Sequence, residues 1–100
     1  RRAWLGIGGG TQQLPPRVAD RTGRTTGLAV TSVVDGSPAS DAGILPGDVI
    51  LSVAGVAIGG VRDLQLVMTA GRIGGSVSVD VVRAGAMRSL QVRPAELVAA

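Results

Sequence analysis

The 100-residue chain has neither cysteine nor histidine. That alone excludes disulfides, thiolate chemistry, zinc sites of the Cys/His kind and any Ser-His-Asp or Cys-His machinery within the chain. Lysine is absent too, since the ten basic residues are all arginine, and without it there is no P-loop. Tyrosine and phenylalanine are missing and Trp4 is the single aromatic, which leaves no set of rings on which bases could stack. The arginines, at 1, 2, 17, 21, 24, 62, 72, 83, 88 and 93, are spread among seven acids for a net charge of +3. This reads as a solvated surface and not as a nucleic-acid footprint. No apolar run approaches the roughly 20 residues of a membrane span, and the opening RRAWLG lacks the long apolar core of a signal peptide. The start is abrupt, as in a segment taken from a longer protein. One domain is expected, with no metal, no cofactor, no nucleic-acid partner and no membrane span.

What is present is glycine, 16 residues of it, and a 45% share of hydrophobic residues. Glycine and β-branched residues are poor helix formers, so short strands around tight turns are expected. Residues 4–8 (WLGIG) read as a short strand, and 9–26 as a long loop with one helical turn opening at Pro16. A strand over 28–34 leads into DGSPASDAG, where Ser37 suits an N-cap, Pro38 the first helical position and Gly43 the C-terminal glycine of a short helix over 38–42. Strands follow over 48–53 and 56–58, separated by a tight turn at Gly55. The longest helix is predicted from Val61 to about Gly71, with Leu64, Val67 and Met68 on one face. Strands over 76–83 and 87–93 form a hairpin about Gly85, and 95–100 read as a tail. The sum is an α+β domain: a small, partly open sheet of five to six strands, sandwich- or barrel-like, capped by two helices. An uncovered edge of such a sheet can accept another strand.

GIGGG, at 6–10, suggests backbone amides aimed at an anion. A dinucleotide fingerprint fails: Gly6 and Gly8 supply its first half, but Thr11 stands in the third glycine's place and no βαβ unit follows. The seven acids occur singly. Asp48, after Pro46 and Gly47, suits a turn cap, and Ser37 and Ser40 have no base to activate them. No enzyme active site is expected in this segment. What remains is binding. Gly6, between Leu5 and Ile7, lets the main chain turn and point consecutive N–H groups at one carboxylate, with Leu5 and Ile7 as apolar walls. A peptide pairing with the strand that runs on from Ile7 would leave its last side chain in such a pocket. An ordinary core strand over 4–8 explains the same pattern equally well.

Two stretches together resemble PDZ domains of the bacterial type. DGSPASDAGILPGDVILSVAGVAI, at 35–58, has that family's Gly-Ser-Pro-Ala turn and helix, its Ala-Gly, its Gly-Asp-Val-Ile strand entry and its turn glycine, Gly55. RAWLGIG, at 2–8, is similar to the segment that opens the PDZ domain of HtrA/Deg-type serine proteases, with Trp4 in a tyrosine's place and Ala3 in a glycine's. The resemblance covers residues 2–93. It implies a PDZ-like fold in the bacterial, circularly permuted topology over 1–94, with 95–100 as a C-terminal tail. It implies that the main chain at Trp4, Leu5, Gly6 and Ile7 binds a peptide's C-terminal carboxylate, assisted by Arg2. The peptide would lie in a groove formed by Gly8, Gly9 and, from the long helix, Val61, Leu64, Gln65 and Met68. Periodicity puts Leu64 and Met68 in the core or on the groove alike.

The implied partners are C-terminal or unfolded peptide segments with an apolar last residue. A catalytic serine-protease domain is implied N-terminal to Arg1, in an extracytoplasmic, cell-envelope protein of protein quality control. Two other settings stay open. One is a PDZ domain of another envelope or membrane protein, such as an intramembrane metalloprotease, a C-terminal-processing protease or a secretion component. The other is a module that docks on its own protein without binding free peptide. Two features depart from the family: the long 9–26 segment, and a GGG run that makes the receiving strand flexible and raises the ordering cost of binding.

Overall fold

The computed structural model describes residues 2–97. The chain runs β1 (Ala3–Trp4), β2 (Ile7–Gln13), α1 (Pro16–Thr22), β3 (Thr26–Val33), α2 (Pro38–Ala42), β4 (Val49–Val53), β5 (Val56–Ala57), α3 (Val61–Val67), β6 (Val77–Arg83), β7 (Ala86–Val92) and β8 (Ala95–Glu96). Six strands form an antiparallel sheet in the order β2-β3-β4-β6-β7, with β5 beside β4, while β1 and β8 make a separate ribbon. Among the described residues the sheet does not close, and β2 and β7 are its edges. Strand alternation sends Leu28, Val30, Ile50, Val79 and Val81 to one face, where Leu5, Ile44, Ile58, Leu64 and Met68 complete the main core. On the other face Leu51 and Val82 meet Leu14 and Val18 in a smaller cluster under α1.

The α+β, partly open architecture is the expected one, but several elements differ. The segment read as a loop holds most of β2 and a two-turn α1. β2 continues through Gly8, Gly9 and Gly10 because β3 supplies partners from Ile7↔Val33 to Gln13↔Thr26. Cross-strand pairing overrides the poor strand propensity of glycine. The register shifts between Gly8 and Gly9, leaving Thr31 as the bulged residue. At this point the strands approach closely: a Cβ on Gly9 would stand 1.9 Å from the Ala29 carbonyl oxygen. Pro16 opens α1 and Gly23, at φ 70°, ends it. Among the described residues, three helices and a 3-10 turn at Ala70–Arg72 therefore flank the sheet, in place of two helices. α3 ends at Val67, and Gly71 lies in the 3-10 turn. The expected strand over 4–8 breaks at Leu5 and Gly6 into β1 and β2.

Ala95 and Glu96, expected to begin a tail, pair with Trp4 and Ala3. The Leu97 N–H also donates to the Arg2 carbonyl at 2.8 Å. Their partners sit at the opposite end of the chain, so no local pattern announces the ribbon. The rest of the expected tail, 98–100, lies outside the described residues.

α2 forms as its sequence signals. Ser37 Oγ accepts from the Ser40 N–H at 3.2 Å, Pro38 occupies the first turn and Gly43 closes the helix at φ 89°. Beside it, buried Asp48 accepts from the Leu45 N–H (3.0 Å) and from Arg83 Nε and Nη2 (2.8 Å each). Arg83 Nη2 also donates to the Gly43 carbonyl at 2.7 Å. Burial by itself would raise the Asp48 pKa. The hydrogen bonds from Arg83 and Leu45, with the charges of Arg83 and Arg88, outweigh it and hold the carboxyl below its ordinary value. No described helix is long and apolar enough to cross a membrane.

Candidate functional site

β3 occupies one side of β2, and among the described residues no strand occupies the other. α3 packs beside β2. The geometry at the start of β2 is set by Gly6, whose φ of 88° is left-handed and disfavoured for any residue with a side chain. The turn places the Leu5 carbonyl on the Ala39 N–H (2.9 Å) and the Gly6 carbonyl on the Val34 N–H (2.8 Å). In a trans peptide the N–H points opposite to the carbonyl of the same unit, and no described peptide bond is cis. The Gly6 and Ile7 amides are therefore turned away from α2 and β3. The Val34 to Gly6 bond also makes Ile7↔Val33 the non-hydrogen-bonded kind of antiparallel pair. Ile7's own N–H and C=O consequently face the open edge.

A cleft of about 180 Å³ lies between this edge and α3, lined by Arg2, Ala3, Trp4, Leu5, Gly6, Ile7, Val61, Leu64, Gln65, Met68 and Leu97. Leu5, Leu64 and Met68 are buried members of the main core and form its apolar floor. Val61 and Gln65 are exposed on the rim. Arg2 Nη2 donates to the Gln65 carbonyl (2.8 Å) and the Ala3 N–H to the Met68 carbonyl (3.3 Å), which ties the start of the chain to the C-terminal end of α3. Among the described residues, Arg2 is the one charged side chain in the lining. Outward amides, an apolar floor and the Arg2 cation suit a carboxylate attached to an apolar group. A wider hollow of about 370 Å³ between α2 and β7 offers the opposite charges of Asp41 and Arg93 in place of such a floor.

Residues 6–93 match the PDZ domain family. The chain is a PDZ domain. Over 69 residues it is 36% identical to HhoB of Synechocystis sp. (strain ATCC 27184 / PCC 6803 / Kazusa), described as a serine protease, covering 69% of this chain and 17% of HhoB. The HtrA-type protease AlgW, solved with a decapeptide, matches with a TM-score of 0.78 at 30% identity over 99% of this chain and 30% of AlgW. The serine endoprotease of Yersinia pestis matches with a TM-score of 0.75 at 27% identity over 97% of this chain and 30% of the protease. The PDZ domain thus resembles those of HtrA-type proteases and spans less than a third of these longer chains.

Within this PDZ domain, Arg2, Trp4, Leu5, Gly6 and Ile7 come together with Val61, Leu64, Gln65 and Met68 around one cleft. Gly8 and Gly9 do not line it and lie farther along β2. The choice between core and groove for Leu64 and Met68 dissolves, because the same face of α3 serves both. Sequence reasoning misses Ala3 and Leu97. Ala3 precedes the glycine turn and carries no polar signal, and Leu97 reaches the cleft only through the β1–β8 ribbon.

Proposed function

We propose that this PDZ domain captures C-terminal or unfolded peptide segments with an apolar last residue, by adding the peptide as a strand to β2. The observation that carries this is the pair of amides, Gly6 and Ile7, turned away from α2 and β3 by a glycine turn where both residues line a cleft with an apolar floor. Such amides stabilise a carboxylate without a charged side chain, while ladder bonds to the free edge of β2 hold the peptide backbone. Arg2 adds positive charge at the same end. The last side chain rests on Leu5, Leu64 and Met68. Gly8 and Gly9 extend the receiving edge, and Val61 and Gln65 form its helical rim. AlgW has been solved with a decapeptide and with a tripeptide, which supports the reading. The domain serves as the substrate-binding or regulatory module of an HtrA-type serine endopeptidase acting in protein quality control outside the cytoplasm. The catalytic residues belong to another part of that protein.

The test is an NMR titration of the domain with short peptides that end in a free apolar residue. Amide shifts are expected to concentrate at 5–9 and 61–68, with micromolar affinity, about −8 kcal/mol. Amidating the peptide's C-terminus is expected to weaken binding by about ten- to a hundredfold, because hydrogen bonds to a charged acceptor are lost. Equal affinity for both forms would exclude carboxylate capture, and silence with every peptide would exclude peptide capture altogether.

A further inference from the structure

One wall of the cleft comes from beyond the segment that matches the PDZ family. Ala3 stands opposite Glu96 and Trp4 opposite Ala95. The same register places Leu97 opposite Arg2, and the Leu97 N–H donates to the Arg2 carbonyl at 2.8 Å. Directly opposed residues on an antiparallel ribbon share a face, so the Leu97 side chain stands beside that of Arg2, whose guanidinium is held by the Gln65 carbonyl. Leu97 remains 49% exposed and is not part of either core cluster, yet it lines the cleft with Gln65 and Met68. It shares that lining with Gly6 and Ile7, and on the peptide-capture reading the last side chain of the ligand sits in this cleft.

We infer that Leu97 is a specificity-determining residue: this residue, which directly follows β8, supplies the outer wall of the pocket for the ligand's last side chain, and the size of residue 97 sets the size of side chain accepted. The inference rests on the peptide-capture reading above. Contact with a leucine wall removes apolar surface of an aliphatic terminal residue from water. A larger terminal group has to displace that wall, which the bond to Arg2 and the ribbon pairing oppose.

The experiment measures affinities by calorimetry for four peptides that differ only in ending with Ala, Val, Leu or Phe, using the parent domain, Leu97→Ala and Leu97→Phe. In an apolar pocket, changes of one or a few methylenes shift selectivity by about tenfold or more. Leu97→Ala is expected to weaken the Val and Leu peptides and to raise the Phe-to-Val affinity ratio about tenfold. Leu97→Phe is expected to lower that ratio, with thermal melts unchanged in both variants. A ratio that stays constant across the three proteins would overturn the inference while leaving peptide capture intact. Unfolding of Leu97→Ala would overturn it as well, by assigning the side chain to the fold. Failure of the parent to bind any of the four peptides would instead remove the reading on which the inference stands.

Discussion

At Gly6 two demands meet in one residue. The backbone is left-handed, and the place a side chain would occupy is filled: a Cβ would lie 2.3 Å from Ser37 Cβ. Gly6→Ala combines a left-handed penalty of about 1–2 kcal/mol with overpacking of about 1–3 kcal/mol. Urea unfolding should therefore register a loss of about 2–5 kcal/mol. Peptide binding should fall with it, because relieving the clash means rotating the amides out of the cleft. A variant as stable as the parent would show that the turn tolerates a side chain. The need for glycine here was legible, since a single glycine between Leu5 and Ile7 marks a turn in an apolar run. Its second cause was not, because Ser37 presses on Gly6 from a distant segment while also capping α2.

The strand β2 shows how differently three neighbouring glycines can matter within one element. A Cβ on Gly9 would meet a backbone oxygen at 1.9 Å, one on Gly8 would meet the Ser32 hydroxyl at 2.6 Å, and one on Gly10 would meet nothing within 4 Å. Gly10→Thr should therefore stabilise the domain by about 0.5–1 kcal/mol through strand propensity and reduced chain entropy, raising Tm by several degrees, on the order of 4–8 °C per kcal/mol. Gly9→Ala should lower Tm. Differential scanning calorimetry of the two variants checks the opposite signs. Helix α2 was readable because its cap, its proline and its closing glycine all lie within a few residues of one another. The part of β2 beyond Gly8 was not, because glycine carries no strand signal, and what holds those residues extended is the ladder to β3.

Across the whole molecule, the Asp48–Arg83 pair fastens the end of α2, the turn before β4 and the end of β6 to one another. Asp48 is 1% exposed, so removing its charge leaves bonds unmade at a buried position. Asp48→Asn is expected to cost about 3 kcal/mol at neutral pH. Because the folded-state pKa lies below the ordinary 3.8, the ionised carboxyl stabilises the fold above that value, and its contribution is lost as pH falls through the lower folded-state value. The deficit of the variant should therefore shrink below about pH 4 in denaturant titrations, and a deficit unchanged down to about pH 2 would show that the carboxylate's charge is not what matters. The sequence by itself determined the exclusions that follow from lacking His, Cys and Lys, the caps of α2, the turn glycines and the likeness to PDZ domains, all of which depend on residue type or on neighbours a few positions apart. Only the tertiary structure decided that β2 runs through its glycines and keeps one edge open, that α3 serves core and cleft with one face, and that Leu97 reaches the cleft. Each of these depends on pairing between distant segments, and a strand's own residues do not name the partner that will complete its ladder.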